Sequence, residues 1–411
     1  MPNQANRVRQ RRSTVGLDYG THSTKAVYRV RGEELGQILY FDDEMDGYPR
    51  NASPSAIREK EGRLYFGKQA LQMTGGTYYG SLKADLYNAS REAPEIQEEI
   101  FVHAAAYLSW ALNRLFESYP EIAAEEPILQ ISAPTSHSGP EDLVKKYLHI
   151  ANAVHKIALG DAPQIRQGME FEEVRRVLLP LLQSPLSDKG ERRFFVMPET
   201  VAPIVSLQLE PFLEAGNYLI VDMGASTTEM SVFLVNDESV SHAANSILCY
   251  SDSTEFRGGN ELERIQDLRV GASQAALEEF LDAVRRQADR VWSVGFAFDR
   301  QNRASHDRWK KIQVRLSGGG TLSDHVSSHF QKVIDPIKPW PKSETKRIFD
   351  RHSPATLECL RCEETDLSFY AVANGLSVER GRWPKFYDKA TPLVASAVGE
   401  EPLVPSYLEI G

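Results

Sequence analysis

Two stretches about two hundred residues apart share one local pattern: Asp18-Tyr-Gly-Thr-His-Ser-Thr24 and Asp222-Met-Gly-Ala-Ser-Thr-Thr228. Each starts at the end of an apolar run, VGLDY or YLIVDM, and places a glycine two positions after an acid. A hydroxyl-rich turn follows, and the chain leaves through a segment of alternating apolar residues. Period-two alternation on both sides of a short glycine turn predicts a β-hairpin. The pattern Asp-x-Gly-x-x-(Ser/Thr)-Thr arises by chance in about one per cent of chains this long, so a second copy with the same flanks makes coincidence a poor explanation.

A tight turn of small residues lets backbone N–H groups point at phosphate oxygens with no side chain in the way. Gly20 and Gly224 permit that approach because they lack a Cβ. Asp18 and Asp222 end their strands facing the same turn, and suit a hydrated magnesium ion, which takes one or two carboxylates plus waters and phosphates. Two such hairpins facing each other would clamp one nucleotide. The plain alternative is a pair of ordinary hairpin turns that happen to use Gly and Thr.

The chain has 411 residues, 41% hydrophobic and 25% charged, which is enough for two or more domains around separate cores. A formal charge of -10 argues against broad nucleic-acid binding and against attraction to an anionic membrane. No apolar run approaches the roughly 18 residues of a membrane span, and no apolar segment follows the N-terminal charges, so a cytoplasmic location is expected. Cys249, Cys359 and Cys362 are too few for a disulfide scaffold and fit a reducing compartment. Residues 1–12 carry Arg7, Arg9, Arg11 and Arg12 with nothing apolar to bury, and read as a flexible basic arm or a docking arm for an acidic partner.

Strand patterns continue after the first hairpin through ELGQILYF and RLYFGKQAL, with an acidic turn at 42–46 between them. Apolar spacing near 3.6 residues predicts a helix over 98–121 closed by Pro120, then a buried strand PILQISA and a helix over about 140–155. Residues 156–193 read as an insertion with a short helix near 170–182. RRFFVMP predicts a strand, with Pro198, Glu199 and Thr200 opening a helix in which the acid suits the macrodipole. Beyond the second hairpin come FRGGNELERI, a glycine turn feeding a helix, a helix over 274–293, the strand KKIQVRLS running into Gly318, Gly319 and Gly320, and a small-residue helix, LSFYAVANGLSVE, interrupted by Gly375. Strand, glycine turn and helix recur in that order, which predicts α/β architecture.

Five segments in this order, VGLDYGTHST, PETVAPIVSL, IVDMGASTTE, RLSGGGTLSD and FYAVANGLSV, resemble the two phosphate motifs, the adenosine motif and the two connecting helices of the actin, sugar-kinase and heat-shock 70 (DnaK-type) ATPase superfamily. The resemblance spans about 13–378 and is nearest to the heat-shock 70 nucleotide-binding domain, through Glu229 after the second phosphate turn and through Gly258, Gly259 and Asn260 before a helix. It implies a two-lobed actin-like fold of duplicated ribonuclease H-like domains with a nucleotide cleft between the lobes. Lobe I would be 13–203, with the 156–193 insertion, completed by 368–395. Lobe II would be 204–367, and 396–411 a C-terminal tail; the peptide-binding domain of true chaperones would be lacking.

The resemblance also implies ATP/ADP and Mg as ligands. Asp18 and Asp222 would order magnesium through its waters, while Gly20, Thr21, His22, Gly224, Ala225 and Ser226 would cradle phosphates. Lys83, in SLKADLY, would neutralise the γ-phosphoryl group, Glu199 would place the attacking water, and Thr227 would sit beside the γ-phosphate. Gly258 and Gly259 would start the helix beside the nucleotide, with Gly318, Gly319 and Gly320 under adenosine and Leu322 at the adenine-stacking position. The chain departs from the family at Leu322, where an arginine is usual, at His22, where a small hydroxyl residue is usual, and at Gly224-Ala225-Ser226, where three glycines are usual. Each role has a plain rival: Glu199 as a helix-start residue, Lys83 as a solvated surface lysine, and Gly318 to Gly320 as an ordinary turn.

Three other signals are discounted. Gly62 to Gln69 has Walker A spacing but ends in Gln and has a strand-like interior. Cys359-Leu-Arg-Cys362 near His352 lacks a second pair for zinc, and Ser136 and His137 offer no triad that a sequence can test. The expected function is an ATP-binding, slowly hydrolysing switch acting on a protein partner. Alternatives are an actin-like filament subunit, a small-molecule kinase and a non-hydrolysing nucleotide-binding scaffold.

Overall fold

The computed structural model describes residues 13–43, 45, 48, 51–88, 94–134, 141–187, 192–211, 213–235, 246–255, 258–266, 270–302, 311–319, 346–352, 354–358, 364–380 and 385–386. The basic arm, Ser136, His137, Gly320, Leu322, Cys359, Cys362 and the tail 396–411 lie outside these residues.

The chain opens with strands β1 (Ser13–Tyr19), β2 (Ser23–Val30), β3 (Gly36–Leu39), β4 (Ser53–Pro54), β5 (Ile57–Lys60) and β6 (Arg63–Phe66). Helix α1 (Gly67–Gln72), β7 (Thr77–Tyr79), α2 (Leu82–Asn88), α3 (Pro94–Ser118), α4 (Pro120–Ala124), β8 (Ile128–Ala133) and α5 (Glu141–Ala158) follow. Next come β9 (Met169–Glu170), α6 (Phe171–Gln183), β10 (Phe194–Pro198), α7 (Ala202–Leu207), β11 (Gly216–Met223), β12 (Thr227–Val235) and β13 (Ser246–Glu255). The remainder comprises α8 (Gly259–Gln266), α9 (Val270–Asn302), β14 (Lys311–Ser317), β15 (Lys346–Arg351), β16 (Leu357–Glu358), a 3-10 helix Glu364–Tyr370, α10 (Ala371–Leu376) and β17 (Lys385–Phe386). The protein is therefore mixed α/β.

Two large sheets share one strand order. The first runs β10-β8-β1-β2-β3-β16, with β4 also on β2, and the second runs β15-β14-β11-β12-β13-β17. Strand sense agrees position by position: β8 and β14 run parallel to the central strand, β2 and β12 antiparallel to it, and the last edge strand parallel to its neighbour. Both central strands are buried along nearly their whole length, which fits the apolar runs Val15–Leu17 and Tyr218–Val221 that lead up to their acids. A smaller sheet, β7-β5-β6-β9, lies beside α1 and α6.

Helices α7 and α10 bridge the large sheets. Leu207, Val205, Val372 and Leu376 share a core with Tyr218, Ile220 and Phe233 of the second sheet. On its other side α10 covers β1, so closely that a Cβ on Gly16 would lie 2.5 Å from the Ser377 nitrogen.

Several sequence expectations need correction. Pro120 does not merely close a helix; it occupies the first turn of α4, where its missing N–H costs nothing. Glu199 precedes α7 and is not in its first turn, because β10 ends at Pro198 and the helix starts only at Ala202. Gly375 does not interrupt α10: it lies inside the helix, where a Cβ would run into the carbonyl oxygen of Ala202, so the glycine serves the α7–α10 crossing. The 156–193 segment is tied in, β9 pairing with β6 and α6 packing on α3 and α5. Strand β16 pairs with β3 of the first sheet and β17 with β13 of the second.

Candidate functional site

The two hairpins place their acids alike. In the first, Asp18 lies opposite Lys25 across β1 and β2; in the second, Asp222 lies opposite Glu229 across β11 and β12. A serine on the parallel neighbour strand supports each acid: Ser132 Oγ donates to Asp18 Oδ1 at 3.2 Å, and Ser317 Oγ donates to Asp222 Oδ1 at 2.8 Å. Ser132 also accepts from the Tyr19 N–H at 3.2 Å. The Lys25 ammonium pairs with Asp18 Oδ2 at 2.7 Å and stands 4.1 Å from the centre of the Phe369 ring.

The motif glycines do different work. A Cβ on Gly20 would meet the Ser23 carbonyl oxygen at 2.5 Å, so that glycine is demanded by closure of the turn itself. Gly224 is different: a Cβ there would lie 3.5 Å from Thr227, an ordinary contact, and the residue borders a cavity. Its N–H is already taken by the Thr227 carbonyl at 2.9 Å. Gly258 lets the start of α8 approach the second turn, since a Cβ would lie 2.5 Å from the Ala225 oxygen, and the N–H groups of Gly259 and Asn260 bond the carbonyls of Gly224 and Ala225. Gly318 has φ near 87°, and a Cβ would crowd the Met223 carbonyl and the Asp222 carboxylate.

A cavity of about 440 Å³ lies between these turns. Asp18, Gly20, Thr21, His22, Lys83, Glu199, Asp222, Gly224, Ala225, Thr227, Gly259, Gly318 and Gly319 all line it. Ser226, within the second turn, and Gly258, packed against it, are not part of the lining. Lys83 is buried and forms an ion pair with buried Glu199, so a solvated surface lysine and a simple helix-start acid are both wrong descriptions.

Burial sets the electrostatics. It pushes Asp222 up to about 6, with Ser317 and Lys25 opposing the shift and Asp18 and Glu199 adding to it. Glu229 is driven well above the carboxylate range by burial first and by Glu199 second, which favours its protonated form. For Lys83 burial acts downward, but Glu199, Glu229 and Asp18 outweigh it and the net direction is up. Neither Glu229 carboxyl oxygen has a hydrogen-bond partner among the described residues.

The chain matches no protein-family model and no curated protein. What it can bind is therefore argued from the donor set. Three buried carboxyl groups, Asp18, Glu199 and Glu229, and the partly buried Asp222 lie together with two buried lysines, Lys25 and Lys83. An excess of hard oxygen donors beside raised carboxyl pKa values suits a divalent cation such as magnesium, and the two lysines suit phosphate oxygens.

Sequence reasoning missed several lining residues: Ser23, Lys25, Tyr48, Asn260, Glu263, Phe369 and Val372. Lys25 had a signal, since it and Glu229 hold the same place after their acids when the two copies are aligned. Ser132 and Ser317 had a weaker one, each standing at or next to the end of its strand, in QIS and RLS. Tyr48 had none; it is met as the ring stacked on His22, centres 4.1 Å apart and planes 3° from parallel. His352 is committed elsewhere, its Nδ1 2.8 Å from Glu210 and its Nε2 3.0 Å from Ser206 Oγ. These are triad distances, but Ser206 and His352 are buried away from the cavity lining, so the relay is structural.

Proposed function

We propose that the chain is an ATP-binding, magnesium-dependent and slowly hydrolysing ATPase of the actin, sugar-kinase and heat-shock 70 superfamily, working as a nucleotide-driven switch on a protein partner. The observation that carries this reading is that two hairpins on matching strands of two like-ordered sheets bring Asp18 and Asp222, with Lys83 and Glu199, to one cavity. The repeated strand order supports a duplicated ribonuclease H-like, two-lobed actin-like architecture, and the α7–α10 crossing between the sheets supports a hinge there.

In this reading Asp18 and Asp222 hold the waters of the ion, each acid kept in orientation by its serine. A magnesium ion held there would supply positive charge to the phosphate oxygens. Lys25 and Lys83 neutralise phosphate oxygens, the turn after Gly224 leaves room for them, and Glu199 orients a water for in-line attack. Phosphoryl transfer to water needs little more than this positioning and charge. Closure of the sheets about α7 and α10 would carry the nucleotide state to the partner.

One observation favours a second reading, a scaffold that binds without turnover: Lys83 and Glu199 are paired with each other, and each must be released to act on substrate. Single-turnover hydrolysis of γ-labelled ATP with excess protein and magnesium decides between them. Slow release of phosphate that Lys83→Met and Glu199→Gln abolish is the expected result. Binding without any release after many hours selects the scaffold. Pelleting only in the presence of ATP would select a filament subunit instead.

A further inference from the structure

A second cluster lies where β5 and β7 of the small sheet meet α3, and shares no residue with the cavity. His103, one turn below Glu99 on α3, is fully buried. Its ring is sandwiched between Phe171, with centres 4.7 Å apart and planes 4° from parallel, and Tyr79, with centres 4.4 Å apart. Its Nδ1 lies 2.9 Å from the Glu99 carbonyl oxygen, a bond that places the proton on Nδ1 and leaves the Nε2 lone pair as an acceptor.

That lone pair is buried and has no hydrogen-bond partner, and the nearest charged oxygen, Glu59 Oε2, is 3.8 Å away, too far for a hydrogen bond. The Glu99 carboxylate, oriented by the Tyr79 hydroxyl at 3.3 Å, completes a set of three ligand atoms lying within 4.8 Å of one another. Unpartnered buried nitrogens are costly, and a buried imidazole whose Nδ1–H is fixed on a backbone carbonyl, with its other nitrogen free beside a carboxylate, is how metal-ligating histidines are held.

We infer that Glu59, Glu99 and His103 form a binding site for a first-row divalent transition ion of the zinc class, which staples the small sheet to α3. The imidazole selects against magnesium and calcium, which prefer all-oxygen sets. Three protein ligands leave a position for water, and Glu99, exposed at the surface, marks the way in. The chain between β5 and α3 is long, running through β6, α1, β7 and α2, and a metal that joins its two ends and binds only the folded form stabilises the fold by mass action.

Untagged, chelator-treated full-length protein titrated with zinc chloride by calorimetry tests the site, with the thermal midpoint read in parallel. The expected result is a single tight site that raises the midpoint and survives millimolar magnesium or calcium. Glu59→Gln and Glu99→Gln, both near the surface and close in shape, should each weaken zinc binding about tenfold or more. Circular dichroism without metal should be unchanged in both. His103→Gln serves as a third variant. No zinc binding by the native chain, or binding that neither glutamine variant weakens, overturns the inference.

Discussion

Asp222 carries a cost that the fold tolerates. Its pKa, held up to about 6 against an ordinary 3.8, means the folded chain keeps a proton that the unfolded chain gives up between those two values. Stability contributed by this group is therefore present below about pH 4 and lost as pH rises to about 6, by about 3 kcal/mol in all. Asp222→Asn, without nucleotide or metal, is expected to raise urea stability at pH 7.5 by an amount of that order, with the gain shrinking as pH falls toward 4. Lys83 should behave in the opposite way, because Lys83→Met leaves the buried Glu199 without its counter-charge, at a cost of about 3–5 kcal/mol. Adding Glu199→Gln should restore most of that loss, and denaturant midpoints of the single and double variants measure the coupling. At this scale the two aspartates were legible because their pattern is repeated. Lys25, Ser132 and Ser317 carried only faint signals, because they meet the acids across strands, and cross-strand pairing depends on register that local sequence does not specify.

Helix α10 crosses α7 closely, and one glycine, Gly375, permits it. Gly375→Ala puts a methyl group against the Ala202 carbonyl and should cost about 1–3 kcal/mol by forcing α7 and α10 apart, read as a lower denaturant midpoint. Gly224→Ala is the informative contrast. Its Cβ meets nothing closer than 3.5 Å, so stability should move by less than about 0.5 kcal/mol. Magnesium-ATP affinity should nevertheless fall about tenfold, or about 1.4 kcal/mol, as the methyl group occupies the bed of a phosphate. A large loss of stability with unchanged affinity would reverse that assignment. Element interiors were readable from period alone, as β1, β11, α3 and α5 show. Their ends were not: Pro120 opens a helix as readily as it closes one, and the two-residue strands β16 and β17 owe their pairing to neighbours far away in sequence.

The whole molecule joins two sheets of the same order through α7 and α10, with the acids of both hairpins turned to the cavity between them. If the cavity takes a nucleotide as proposed, two elements that bridge the sheets and a cavity lined by both make closure the expected response. Amide hydrogen exchange should slow in both hairpins together when magnesium-ATP is added, and not in one alone. The strand order was only partly legible, since the hairpins and the recurring strand–turn–helix units announce α/β architecture, while the place of each parallel neighbour is decided by long-range packing. Among the described residues no helix is long and apolar enough to cross a membrane. The central claim is that both acids serve one nucleotide, and calorimetric titration with magnesium-ATP tests it most directly. The native chain should bind one nucleotide, with loss of binding on removal of magnesium and marked weakening in both Asp18→Asn and Asp222→Asn. Absence of binding by the native chain, or binding that neither substitution alters, would contradict it.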